Sequence, residues 1–256
     1  MDILRFFSYN KEKPFHIYRL NDFDVESLLG SITKDFRQCY ITNEDLIKLA
    51  KKNGISKKQL LESYILPDKG NIKSGDFGEM ISYFFIEEHY ADKGYLLFCP
   101  RKWLWKDDRN KASPYSDAVG FYRDDEMNPS KNDFIVCVES KMKATKSKKH
   151  RIQEAVDGAN IDRLTRLGKT LGWLKEKYVK DCNKEKSEYI RRYTDPVGNG
   201  TYKKIFKAFA ILDKEYEKYE FSLPIKDNDG IAIIVIAIKN LRDVYEANLK
   251  RIIESV

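Results

Sequence analysis

The stretch DFIVCVESKM at 133–142 carries an apolar run straight into Glu139, Ser140 and Lys141. Side chains on a strand alternate faces, so Glu139 and Lys141 point the same way, roughly 6–7 Å apart along the chain. A strand suited to an interior that ends in a carboxylate and an ammonium is either a salt bridge at a sheet rim or reaction machinery. The preceding run, SDAVGFYR at 116–123, is joined to it by DDEMNPSKN, which is rich in turn formers. Sequential strands joined by such a reversal pair antiparallel. With Arg123 opposite Asp133, Phe121 faces Ile135, Val119 faces Cys137 and Asp117 faces Glu139. Facing side-chain roots sit roughly 4.5–5.5 Å apart, where like charges repel. A slip of two residues changes the partners but not the shared face.

A divalent cation offsets that repulsion best. Mg²⁺, or Mn²⁺ in its place, takes oxygen ligands and accepts one or two carboxylates with waters and substrate phosphates. Asp117 and Glu139, with the Ser140 backbone carbonyl, are the expected ligands, and hydrolysis of a phosphodiester is the chemistry they serve. Lys141 would orient the attacking water, help deprotonate it, or stabilise developing negative charge. Glu79 is a candidate third acid. At about 100° per residue it lies away from the Phe77, Ile81 and Phe84 stripe, so a first-turn acid favoured by the helix dipole is the competing reading.

These residues need elements to hold them. Residues 76–90, DFGEMISYFFIEEHY, have helical spacing, with Gly75 and Gly78 allowing close backbone approach. Three strand-like runs follow at 95–105, 116–123 and 133–141, then a helical region over about 150–181, strands at 207–213 and 230–239 separated by a hairpin-like segment, and a closing helix. Ahead of them, helices are expected over about 43–53, capped by Asn43 and ended by Gly54, and over about 56–64. The turn-rich 68–79 segment marks a soft boundary between an N-terminal α+β extension (1–69), a candidate partner contact, and the main domain (70–256). The expected class is α/β: a mixed central sheet flanked by helices. IAIIVIAI at 231–238 is apolar throughout, as in a central strand buried on both faces.

The chain has 256 residues, 42% hydrophobic and 34% charged, with 47 Lys and Arg against 40 Asp and Glu, a net +7 that favours an anionic partner. Four scattered cysteines and three histidines give neither a disulfide framework nor a zinc pattern. The first residues lack a secretory pattern, and the eight-residue apolar run is too short to span a bilayer, so a cytoplasmic protein without membrane contact is expected.

GDFGE on a helix, SD on one strand and ESK on the next resemble the PD-(D/E)xK nuclease superfamily, whose restriction-endonuclease-like core would cover about 70–256. By that resemblance Asp117 and Glu139 match the metal-binding acids, Lys141 the lysine and Glu79 the acid of the first helix; Ser116 stands where the motif has proline. Across most of its length, through GDFGEMISYFFIEE, SDAVGFYRD and FIVCVESKMKATK, the chain also resembles the HamA family of Hachiman anti-phage systems. That likeness implies a metal-dependent DNase restrained by a partner helicase, HamB, and released when phage DNA is sensed.

Three surfaces are candidates for DNA. Lys143, Lys146, Lys148, Lys149 and Arg151 cluster just after the site and would neutralise backbone phosphates. Trp103 and Trp105 on one strand face form a stacking platform, or pack in a core. Residues 183–200 form a charged, aromatic insertion suited to DNA or partner contact, or surface filler. A metal-dependent deoxyribonuclease is the leading reading. Its alternatives are a non-catalytic nucleic-acid- or helicase-binding subunit and an enzyme that restricts specific sites.

Overall fold

A computed structural model describes residues 2–194 and 202–256. In chain order the elements are β1 (Phe7–Glu12), β2 (Phe15–Leu20), α1 (Val25–Tyr40), α2 (Asn43–Asn53), α3 (Lys57–Leu60, continuing as a π turn to Ile65), α4 (Gly70–Ala91), β3 (Ala118–Tyr122) and β4 (Phe134–Lys143). They continue with α5 (Arg151–Ile161), α6 (Leu167–Lys180), α7 (Lys184–Thr194), β5 (Lys203–Asp213), α8 (Glu217–Ser222), β6 (Ile231–Ile238) and α9 (Leu241–Glu254).

All six strands form one sheet in the order β1-β2-β6-β5-β4-β3. The inner strands β2, β6, β5 and β4 run parallel, while β1 and β3 are antiparallel edges. The α/β class with a mixed, helix-flanked sheet is therefore correct. β6 is central and buried at seven of its eight positions, as its unbroken apolar run requires. One core packs α1, α4 and α9 on one face; a second packs α5, α6 and α7 on the other. Residues before and after the expected boundary at 69 share this sheet, because β2 pairs with β6. Among the described residues no helix is long and apolar enough to cross a membrane.

Local signals explain several boundaries. Gly54 ends α2 in the left-handed region at φ 64°, where a side chain is disfavoured. The cap at its other end is Thr42, not Asn43: Thr42 Oγ1 accepts from the Asp45 N–H at 3.0 Å.

Three expectations fail for identifiable reasons. The 95–105 run is not a strand. Only Phe98 bridges Phe121, with reciprocal backbone bonds of 2.8 and 2.9 Å, and Pro100, which has no N–H to give, precedes a 3₁₀ turn over Lys102–Trp105. The turn-rich joint is helical from Gly70, since the glycines of NIKSGDFGE are tolerated in a helix buried almost all round; a Cβ on Gly78 would touch β4 side chains, but one on Gly75 would meet nothing within 4 Å. The segment between β5 and β6 is no hairpin: the strands are parallel and α8 lies in the crossover.

Candidate active site

The antiparallel register of β3 and β4 sets the geometry. Val119 faces Cys137 and Phe121 faces Ile135, and one step beyond the strand the Asp117 N–H donates to Val138 O at 3.1 Å. Val119, Cys137 and Ile135 lie in the core beneath α5. By alternation Asp117, Glu139 and Lys141 share that face, while Ser140 turns to α4, where its Oγ accepts from Ser82 Oγ at 3.1 Å. The Ser140 N–H donates to Asp117 Oδ2 at 2.7 Å, tying the two acidic segments together.

Both acids are buried, Glu139 at 3% exposure and Asp117 at 9%. Each is held by cations. Glu139 accepts from Lys141 Nζ on one oxygen and from Arg166 on the other. Lys102 Nζ lies 3.9 Å from Asp117 Oδ1 and 3.2 Å from Glu79 Oε2. Glu79, from α4 on the other face, thus meets the site through Lys102 at the sheet's end, and its Oε2 also accepts from Trp103 Nε1 at 3.1 Å. Facing inward and buried, it is more than a first-turn acid.

Burial, and then the Asp117 charge, pushes Glu139 up to about 7 despite its cations. Burial likewise pushes Glu79 up to about 8, with Lys102 opposing. Burial lowers the Lys141 affinity for its proton, but Asp117 and Glu139 outweigh it, and the pKa is raised. The two glutamates hold protons in the folded chain that they release when it unfolds, over a window from 4.5 to about 8. Stability therefore falls as pH rises through that window. The expected result is a metal-free melting temperature lower at about pH 8 than at about pH 5, with Asp117→Asn reducing the drop by removing the like charge beside Glu139. A thermal melt series checks this; a melting temperature that rises with pH, or a clearly less stable Asp117→Asn protein without metal, would contradict it.

Four residues were not legible as site residues. Arg166 bridges Glu139 and Asp162, its Nε donating to Asp162 Oδ1 at 2.6 Å and its Nη2 to Gly158 O at 2.8 Å. Asp162 Oδ1 also accepts from Ser116 Oγ at 2.7 Å, while its buried Oδ2 has no partner. A π turn over Asp162–Arg166 between α5 and α6 places both side chains. Gly158 on α5 provides room: an added Cβ would stand 2.4 Å from Glu139 Cδ. The signal available beforehand was a glycine inside a helical pattern, which costs stability unless something approaches closely. Lys102 gave no signal, because its segment read as a strand.

The candidate DNA surfaces fare unevenly. Lys143 is buried, paired with Glu220 at 2.7 Å, so it is corrected from phosphate ligand to anchor of the loop that follows. Lys146, Lys148 and Lys149 are exposed, and Arg151 pairs with Glu154. Trp103 is core, edge-on to Tyr83, and no strand face joins it to Trp105. Trp105 packs edge-on to Trp173 and Tyr178 and lines an open groove of about 760 Å³ with Arg101, Arg109 and Lys186. Of the 183–200 insertion, Asn183 precedes α7, which takes up 184–194; 195–200 lie outside the described residues.

Among the described residues no group of three or more carboxylate, imidazole or thiolate side chains could hold a metal. The donor chemistry nonetheless suits Mg²⁺ or Mn²⁺, which can bind through two carboxylates and complete their shell with carbonyl and water oxygens. Residues 3–253 match the model of a family described as HamA. No curated protein matches the chain.

Proposed function

The chain belongs to the HamA family, components of Hachiman anti-phage defence, and on that premise we propose that it is a divalent-metal-dependent deoxyribonuclease with a PD-(D/E)xK-like site, restrained by a helicase partner. The observation that supports it is the meeting of Asp117, Glu139 and Lys141 on one face of the β3–β4 end. Asp117 and Glu139, with the Ser140 carbonyl, would hold Mg²⁺ or Mn²⁺. Such an ion, when bound, neutralises phosphate charge and acidifies a water. Arg166 and the Gly158 gap fix the Glu139 carboxylate. Lys141, partly exposed, reaches solvent and is placed to orient a water or to meet negative charge building on a scissile phosphate. Glu79 and Lys102 position Asp117 from behind. The loop carrying Lys146, Lys148 and Lys149 would steer DNA by its backbone, a salt-sensitive attraction.

One observation favours a second reading. Each acid is already neutralised by a lysine or arginine, as in a purely structural ion network, and a non-catalytic nucleic-acid- or helicase-binding subunit would need no more. Incubation of the purified chain, alone and with its partner, with plasmid and Mg²⁺ separates the two. Nicking that a chelator stops is the expected result; binding without cleavage under every condition would support the second reading. Discrete fragments in place of a smear would indicate site-specific cutting.

A further inference from the structure

On the sheet face opposite Glu139, four basic side chains from three elements meet at one patch. His16 on β2 and Lys207 on β5 lie on the α4 side, where Tyr18 and Phe209 of the same strands both pack edge-on to Phe85 of α4. His89 belongs to the last turn of α4, and Lys93 follows it. Lys93 Nζ lies 2.8 Å from His89 Nε2. Lys93 and Lys207 flank one ring, their Nζ atoms 5.8 and 5.6 Å from the Tyr90 centroid. Tyr9, 51% exposed, stacks on His16 at 6.1 Å and 17° and places its hydroxyl 2.9 Å from His16 Nδ1.

The charges acting most strongly on these groups are all positive. Burial, then Lys93, Lys207 and His16, holds His89 down to about 4. Burial and Lys93 hold Lys207 down to about 8. Burial, Lys11, Lys207 and Lys93 lower His16. The C-terminal dipole of α4 accounts for bases at His89 and Lys93. It does not account for a half-buried lysine and a histidine arriving from two separate strands with no acidic partner among the described residues.

We propose that this patch binds a phosphate-bearing ligand, its dianionic phosphoryl group seated among His16, His89, Lys93 and Lys207 beside the exposed Tyr9 ring. Convergence on one spot suits a compact multi-acceptor oxyanion, where an acidic peptide would need cations spaced along a surface. The site stands apart from the candidate nuclease centre, so it survives or fails independently of that reading.

The test follows the His16 and His89 imidazole resonances of the intact chain during titration with inorganic phosphate, ATP, and a short oligonucleotide with and without a 5′ phosphate. The expected result is saturable binding of a phosphate-bearing probe, with the His89 pKa raised by about one unit or more, and affinity reduced about tenfold or more in Lys207→Gln and in the surface variant Lys93→Gln. ATP binding without oligonucleotide binding identifies a nucleotide; dependence on the 5′ phosphate identifies a nucleic-acid end. No imidazole shift with any phosphate-bearing probe, equal binding of the unphosphorylated oligonucleotide, or unchanged affinity in both variants would overturn the proposal.

Discussion

Lys141→Ala is expected to lower metal-dependent plasmid cleavage by about 10²–10⁴-fold, the range for a positioned group that handles a proton in the transition state. The fold should tolerate the change. Lys141 is partly exposed, and the buried Glu139 carboxylate keeps Arg166 as its remaining cation. Cleavage assays beside thermal melts make the comparison, and Lys141→Arg adds a discriminating arm: it keeps the charge but cannot easily surrender a proton. Cleavage restored by arginine would assign Lys141 to charge stabilisation; cleavage lost in both would assign it to the water. Wild-type cleavage by Lys141→Ala would remove it from the site.

Among the glycines of the described residues, Gly158 should be the one where an added methyl does most damage. The added Cβ would lie 2.4–2.5 Å from the Glu139 Cδ, Cγ and Oε1 atoms. That side chain cannot simply swing aside, because it is buried and each oxygen is bound to a cation. Either α5 lifts from β4 and β5, or Glu139 leaves both Lys141 and Arg166. Overpacking of this kind costs about 1–3 kcal/mol before the unpairing of Glu139 is added. The expected outcome is a lower melting temperature together with loss of metal binding and cleavage. Gly168 and Gly172 on α6 provide matched controls, since nothing lies within 4 Å of their added Cβ. Alanine there should stabilise the helix by about 0.5–1 kcal/mol. A Gly158→Ala protein as stable and active as wild type would mean that Glu139 does not need its observed position.

Much of this arrangement was legible because it rests on short-range periodicity. The β3–β4 register followed from one turn-rich loop and two alternating runs, and it carried Asp117 and Glu139 to one face without further information. The apolar continuity of residues 231–238 gave the central strand. What stayed hidden depends on longer-range or irregular geometry. Trp103 and Lys102 read as strand residues because aromatic content outweighed Pro100, although the proline removes the ladder donor. Lys143 read as a surface base because nothing nearby in sequence announces Glu220. Arg166, held by Asp162, reaches Glu139 through a π turn, a feature without a dependable sequence pattern, and Gly158 is meaningful only once β4 is known to run beneath it. The parallel return of β5 to β6 was missed because a short charged helix resembles a hairpin loop in composition.

The proposed nuclease function requires that Asp117 and Glu139 form one divalent-ion site on the β3–β4 end. Calorimetric titration of Mn²⁺ into the metal-free protein, repeated with Asp117→Asn and Glu139→Gln, tests it most directly. Saturable binding by the wild type that either substitution weakens by about tenfold or more, the loss that 1.4 kcal/mol represents, is the expected result. Binding that is absent in the wild type, or retained at full strength in both folded variants, would contradict it.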